Sequence, residues 1–184
     1  LCEIGASITS VLDREEVIQK ILDGVIETLG FDRAMLLMVD EEAGLLRSSA
    51  SAGLTGEALT YFSQMEYELS RDDVAVVLTV KENQPILVED VDDPPVSLDP
   101  EAIRRIGIRS FVTTPLRAGG HRIGVLVADR SGAGERVTKF DQRLLMGFGD
   151  QAAIALENAR LYGEALEKQK LEEEVAVAAR IQQH

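Results

Sequence analysis

Ile108-Arg109-Ser110-Phe111-Val112-Thr113-Thr114-Pro115-Leu116 runs through Ala118-Gly119-Gly120 into His121-Arg122-Ile123-Gly124-Val125-Leu126-Val127-Ala128-Asp129. Two apolar runs rich in β-branched residues, joined by paired glycines, read as two strands and a tight turn. A turn this short admits only antiparallel neighbours, because a parallel crossover needs a dozen residues or more. The same pattern recurs upstream. Arg33 to Val39 is a continuous apolar run, Asp40 to Gly44 is turn-like, and Leu45 to Ala52 returns as a second strand. Pro85 precedes a further short strand, Ile86-Leu87-Val88.

Helical periodicity frames these strands. Ile18, Ile21, Leu22, Val25, Ile26 and Leu29 form an apolar stripe, with Asp13 as N-cap, Glu16 completing a box-like cap and Gly30 as the stop. Leu1, Ile4 and Ile8 give a shorter helical face before it. Leu54 to Met65 reads as a short helix with a connector. Ser70 is placed to cap a helix through Val74, Val77, Leu78 and Val80, and Pro100 suits the first position of a helix over 101–106. A long helix begins near Thr138. From Phe140 onward it meets no proline, and after Gly149 only one glycine, Gly163. The expected class is α+β: a central antiparallel sheet of about six strands, the N- and C-terminal helices on one face, short helices and loops over the other, and a protruding C-terminal helix.

Composition narrows the function. The chain has 184 residues, 45% hydrophobic and 28% charged, enough for an aliphatic core in one domain with length to spare. No apolar run is long enough to span a bilayer, and Leu1-Cys2-Glu3-Ile4 has neither the basic start nor the cleavage site of a signal peptide. A cytoplasmic location is expected. Net charge is −13, and between Glu66 and Glu101 eleven acids face only Arg71 and Lys81. Such a surface argues against nucleic acid and anionic membranes as partners.

Several residue groups taken together resemble the GAF domain family. Phe31-Asp32-Arg33-Ala34 opens the first strand. Ser110, Thr113-Thr114-Pro115-Leu116, Gly120 and Ile123-Gly124-Val125-Leu126 mark the last hairpin. Asp141, Leu144-Leu145 and Gln151-Ala152-Ala153-Ile154-Ala155-Leu156-Glu157-Asn158-Ala159-Arg160-Leu161-Tyr162 mark the exit helix. The resemblance covers roughly residues 1–162 and implies a small-molecule-binding or purely structural sensor module. Such modules often dimerise through their terminal helices and feed an effector. Residues 163–184 are then a signalling linker. The segment Leu171-Glu172-Glu173-Glu174 through Ala178-Ala179-Arg180-Ile181-Gln182-Gln183 resembles the helix that enters the SpoIIE-like and RsbU-like serine phosphatases of bacterial sigma-factor regulation. None of that domain's metal-binding aspartates is present. Histidine kinases and cyclic-dinucleotide enzymes are alternative neighbours.

Catalysis finds no support. The two histidines are His121, beside a hairpin turn, and His184, the last residue, and no Gly-x-Ser-x-Gly, Cys/His pair or Walker loop occurs. Cys2 is the one cysteine. It reads as a small apolar residue, which argues against both bilin attachment and the sulfoxide-reducing chemistry of some GAF relatives. Cyclic-nucleotide-binding relatives carry an Asn-Lys…Phe…Asp-Glu signature. The matching positions here are Asp129, Arg130, Val137, Asp141 and Gln142, so only Asp141 agrees and Arg130 keeps the charge. Haem ligation by His121 and a calcium loop over Glu89 to Asp93 are also disfavoured, the latter because Pro95 falls where an EF-hand turn needs glycine. No metal or cofactor is expected.

An aliphatic pocket under the short middle helices is the remaining candidate site. Its floor is either Phe111, Thr113 and Pro115 or the opposite face, Val112, Thr114 and Leu116; Ser48, Ala50, Phe62, Val77 and Leu87 are candidate walls. The reading that these residues only fill a core competes with it. For the helix, Ile4 and Ile8 with Ile154, Leu161, Ala165, Leu171, Val175 and Ala178 are the candidate contacts of a parallel homodimer. The heptad is imperfect, with Lys168 at a seam position.

Overall fold

A computed structural model describes residues 14–132 and 134–183. The expected cap Asp13 and the segment from Leu1 to Val11, including Cys2, Ile4 and Ile8, lie outside the described residues, as does His184. The first described helix, α1, spans residues 14–28 and ends in a π-helical turn, Gly24–Thr28. Strands β1 (Arg33–Asp40) and β2 (Leu45–Ala52) follow, then α2 (Gly56–Ser63), β3 (Glu66–Glu68), α3 (Ala75–Glu82), β4 (Ile86–Val88), α4 (Pro100–Ile106), β5 (Phe111–Ala118), β6 (His121–Asp129) and α5 (Lys139–Gln182).

The six strands form one antiparallel sheet in the order β3-β2-β1-β6-β5-β4. Gly119 and Gly120 both adopt left-handed φ, +58° and +78°, between the paired residues Ala118 and His121. Two consecutive left-handed residues make the two-residue turn whose twist matches that of the flanking strands. β1 and β6 are central, and β6 carries the most buried positions. Alternation then sends neighbouring residues to opposite faces. Leu36, Leu126 and Val112 pack under the terminal helices with Leu22, Val25, Leu145 and Leu156. Met35, Leu37, Phe111 and Val127 pack under α2, α3 and α4 with Phe62, Val77 and Ile106. The two-layered arrangement expected from the sequence is therefore the observed one, a six-stranded antiparallel α+β fold.

The terminal helices approach closely because small residues let them. A side chain at Gly24 would strike the Phe148 ring of α5, and one at Gly149 would strike Thr114 of β5. Ala152 and Ala153 continue that narrow face. α5 starts with a reciprocal capping box, in which the Thr138 hydroxyl accepts from the Asp141 amide while the Asp141 carboxylate accepts from the Thr138 amide. Its 44 residues extend about 65 Å at 1.5 Å per residue. Among the described residues beyond Tyr162, only Gly163 and Leu166 are even half-buried.

Three local features depart from the expected elements. Glu66-Tyr67-Glu68, just past the connector expected to end at Met65 and not expected as a strand, pairs with Leu45, Leu46 and Arg47, with only Tyr67 turned into the core. Ser70 does not cap α3, which begins at Ala75 after an extended Val74; the Ser70 hydroxyl is donated to Glu68. β5 begins at Phe111, not Ile108, because Gly107 at φ +71° closes α4 and Ile108 bonds back to Ile103.

Leu126 is wholly buried at the centre of the sheet, so Leu126→Ala should destabilise the domain by about 2–5 kcal/mol. Urea unfolding followed by circular dichroism would show this as a lower midpoint with an unchanged slope.

Candidate functional site

Two concave regions compete. One, of about 730 Å³, is a trough between α1 and α5 with Ile18, Ala50 and Gly163 among its lining and charged side chains such as Arg14, Glu15 and Glu164 around it. Most of its residues are exposed or half-exposed. The other, of about 50 Å³, lies between the sheet and the short helices. Its floor is Met35, Leu37, Phe111 and Val127, and its walls include Phe62 from α2, Ala75 from α3 and Ile106 from α4. These residues are almost fully buried. The second cavity has the apolar lining of a small-molecule site.

The face of β5 left open by the sequence is thereby resolved. Phe111 and Thr113 turn toward the short helices, whereas Val112 and Leu116 pack under the terminal helices and Thr114 touches the Gly149 turn of α5. Among the candidate walls Phe62 lines the cavity and Val77 fills the same core layer behind it. Thr113 is committed elsewhere: its hydroxyl contacts that of Thr79 at 2.6 Å and accepts the Ile86 amide at 3.1 Å. Pro115 lies further along, opposite Val125. Ser48 and Ala50 do not share a face. β2 is bulged, so that Leu36 pairs with Ala50 and Leu37 with Ser48, skipping Ser49. Ala50 therefore joins the terminal-helix side, as does Leu87.

Sequence reasoning missed the cavity's polar corner. The Tyr67 hydroxyl donates to Asp99 Oδ2 at 2.8 Å. Asp99 Oδ1 in turn accepts the amides of Glu101 and Ala102, capping α4. Burial first, and then the adjoining Asp99 carboxylate, push the Tyr67 phenol well above its ordinary value. The signals were present: Tyr67 is the apolar residue of an acid-flanked alternation, and Asp99 precedes the Pro100 that opens α4.

The positions matching the cyclic-nucleotide signature hold the fold together. Arg33 Nε donates to Asp129 Oδ1 at 2.8 Å, and Arg33 Nη2 meets the other carboxylate oxygen. The same guanidinium donates to the Ile106 carbonyl at 2.8 Å and the Gly107 carbonyl at 3.1 Å, the last carbonyls of α4. Burial pushes the Asp129 carboxyl upward, and the Arg33 contact opposes it. Next in sequence, Arg130 stacks on the Phe31 ring at 5.1 Å, donates to the Gly30 carbonyl at 2.7 Å and pairs with Asp141 at 2.9 Å. Val137 is buried, and its amide donates to Ser110 Oγ at 2.8 Å. Asp129, Arg130 and Asp141 are thus all engaged in internal ion pairs.

The other candidates are dispersed. His121 is exposed at its turn. Asp90 of the acidic loop accepts the Asp92 amide and pairs with Arg136 at 2.7 Å. Among the described residues no group of three or more His, Cys, Asp or Glu is placed to hold a metal. No described helix is long and apolar enough to cross a membrane. On α5, Ile154 is 50% exposed, Leu161 48% and Val175 69%; Leu171, Ala165 and Ala178 are exposed too.

The fold is that of a regulatory sensor module. The chain belongs to the GAF domain family, whose profile matches residues 13–156. It is similar to a methyl-accepting chemotaxis protein structure at 24% identity, with 85% of this chain and 97% of that one covered and a TM-score of 0.66. It is also similar to a domain of a two-component sensor histidine kinase protein from Sinorhizobium meliloti 1021, at 25% identity, 80% and 93% coverage and a TM-score of 0.61. A GAF domain/HD domain protein from Geobacter sulfurreducens shares the fold at 15% identity, 80% and 95% coverage and a TM-score of 0.67. No curated protein matches.

Removing one partner of the buried pair leaves an uncompensated charge. Arg33→Leu should cost about 3–5 kcal/mol, and adding Asp129→Leu should restore much of that loss; urea midpoints of both variants test this. At Asp141 burial opposes ionisation, but hydrogen bonds from Thr138 and the Arg130 ion pair outweigh it and hold the carboxyl below its ordinary 3.8. The stability this provides is fully present above 3.8 and is lost as pH falls through the lower folded value. Asp141→Asn should therefore flatten the acid limb of the stability curve, measured by thermal melts at stepped pH.

Proposed function

We propose that this GAF domain is the regulatory part of a bacterial, cytoplasmic signal-transduction protein. Residues 1–162 form the sensor and residues 163–184 a linker to an effector. Its input is a small molecule or a partner, and the candidate seat for a small molecule is the cavity under α2, α3 and α4. Two copies pair through α5 together with the segment from Leu1 to Ser10. A change in the relation of the two α5 helices carries the signal. The effector is a serine/threonine phosphatase of sigma-factor regulation, on the likeness of Leu171 to Gln183 to the helix entering that domain.

One observation carries the reading. Phe140, Ile154, Leu161 and Val175 are large, apolar and exposed, and their spacings are multiples of seven, with Leu171 four residues before Val175. A seam at heptad spacing is the pattern two parallel helices bury against each other. A single helix of about 20 residues standing clear of its domain is marginal in water without such a partner. The runner-up is a ligand-free dimerisation module of a histidine kinase or cyclic-dinucleotide enzyme, favoured by the similarity to the Sinorhizobium kinase domain.

Light scattering should give twice the chain mass at micromolar concentrations. Leu161→Glu with Val175→Glu should raise the dissociation constant by roughly tenfold or more. A monomer throughout, even at high concentration, overturns the dimer. Native mass spectrometry separates the two readings, since a retained or added small molecule is compatible only with the first.

A further inference from the structure

We propose that the cavity beneath α2, α3 and α4 takes a small aliphatic molecule whose single polar head, hydroxyl or ammonium, donates a hydrogen bond and carries no negative charge. This rests on the reading of that cavity as the sensor's input site, and it names the chemistry of the input.

Size sets the first limit. The cavity measures about 50 Å³, and a water needs roughly 10–15 Å³ on the same measure, so the space suits about four non-hydrogen atoms. A nucleotide, bilin or haem has no room without dismantling the walls. Met35 and Met65 line the space, and unbranched thioether side chains adapt to a slightly larger guest.

Lining sets the second limit. Of the residues around the space, only Tyr67 and Asp99 carry oxygen or nitrogen in their side chains, and no lysine, arginine or histidine is among them. An anion placed there would lose its hydration with no cation to compensate. The surroundings add to this exclusion. Arg71, stacked over the outer face of Tyr67 at 5.5 Å, is held by both carboxylate oxygens of Asp73. Arg105, over Tyr61 at 4.9 Å, is paired with Glu57. The segment from Glu66 to Glu101 that builds this side of the domain is strongly acidic.

The polar corner sets the third. Asp99 Oδ1 already accepts two amides, whereas Oδ2 accepts only the Tyr67 hydroxyl. A carboxylate oxygen has two lone pairs, so Oδ2 can accept one donor more. A guest with a hydroxyl or ammonium head reaches that oxygen while its aliphatic body fills the apolar space. A guest whose head only accepts finds nothing to bond except the Tyr67 hydroxyl, which Asp99 holds.

Isobutanol, isobutylammonium and isobutyrate share one carbon skeleton and differ in the head. Titrated into methyl-labelled protein, the first two should shift the Met35 and Leu37 methyl resonances saturably and isobutyrate should not. Tyr67→Phe leaves the ring in place and frees Oδ2, so it should tighten isobutanol binding by about three- to tenfold. Ala75→Leu fills the space from α3 and should abolish the shifts while leaving the circular dichroism spectrum unchanged. Isobutyrate binding as well as isobutanol overturns the ligand class and leaves the cavity as the input site. Xenon shifting the same methyls while neither donor does so has the same meaning. Methyls unmoved by every probe, xenon included, overturn both the class and the cavity.

Discussion

The pairing of Arg33 with Asp129 is the contact on which the arrangement of this domain rests. The two residues face each other across the central strands β1 and β6, with the carboxylate fully buried. Desolvating such a pair is expensive, and its attraction repays the cost only when the remaining donors are satisfied. Here they are satisfied by the last carbonyls of α4, where the helix dipole also favours a cation. One guanidinium therefore fixes two strands and a helix end at once. Because Asp129 is followed by Arg130, the neighbouring residue turns its charge to the opposite layer and secures the first turn of α5 through Asp141. Through Arg33 and Asp129, and then along the chain to Arg130 and Asp141, the end of α4 is joined to the start of the long helix.

The sheet separates two cores that share no side chains. On one side, Gly24 lets α1 approach Phe148 of α5, and Gly149 lets α5 approach Thr114 of β5. On the other, the three short helices α2, α3 and α4 cover the sheet, and their imperfect closure leaves the space between Phe62, Ile106 and Phe111. Short helices with few turns of their own depend on tertiary contacts for stability. The short-helix layer therefore owes its order to its packing on the sheet.

Much of this was legible in the chain. Paired glycines between apolar runs dictated antiparallel neighbours, and helical stripes at both ends dictated the layer they share. The site was only partly legible. Alternation and the placement of the short helices suffice to put Phe62 and Phe111 under one layer, where they pack. Ser48 and Ala50 were assigned to one face because they are two residues apart, and a bulge at Ser49 separates them. Tyr67 and Asp99 were missed because they are 32 residues apart and meet only through folding.

What the sequence determined by itself was periodicity: where the chain alternates, where it repeats every three to four residues, where glycine permits a reversal, and that the last helix carries apolar residues past the core. Those features depend on neighbours along the chain, so local sterics and solvation decide them. What only the tertiary structure decided was which polar groups meet: Arg33 with Asp129, Arg130 with Asp141, Tyr67 with Asp99. Each pair joins separate elements, and its partners are selected by the shape of the packed layers and by the cost of leaving a buried charge or hydroxyl alone.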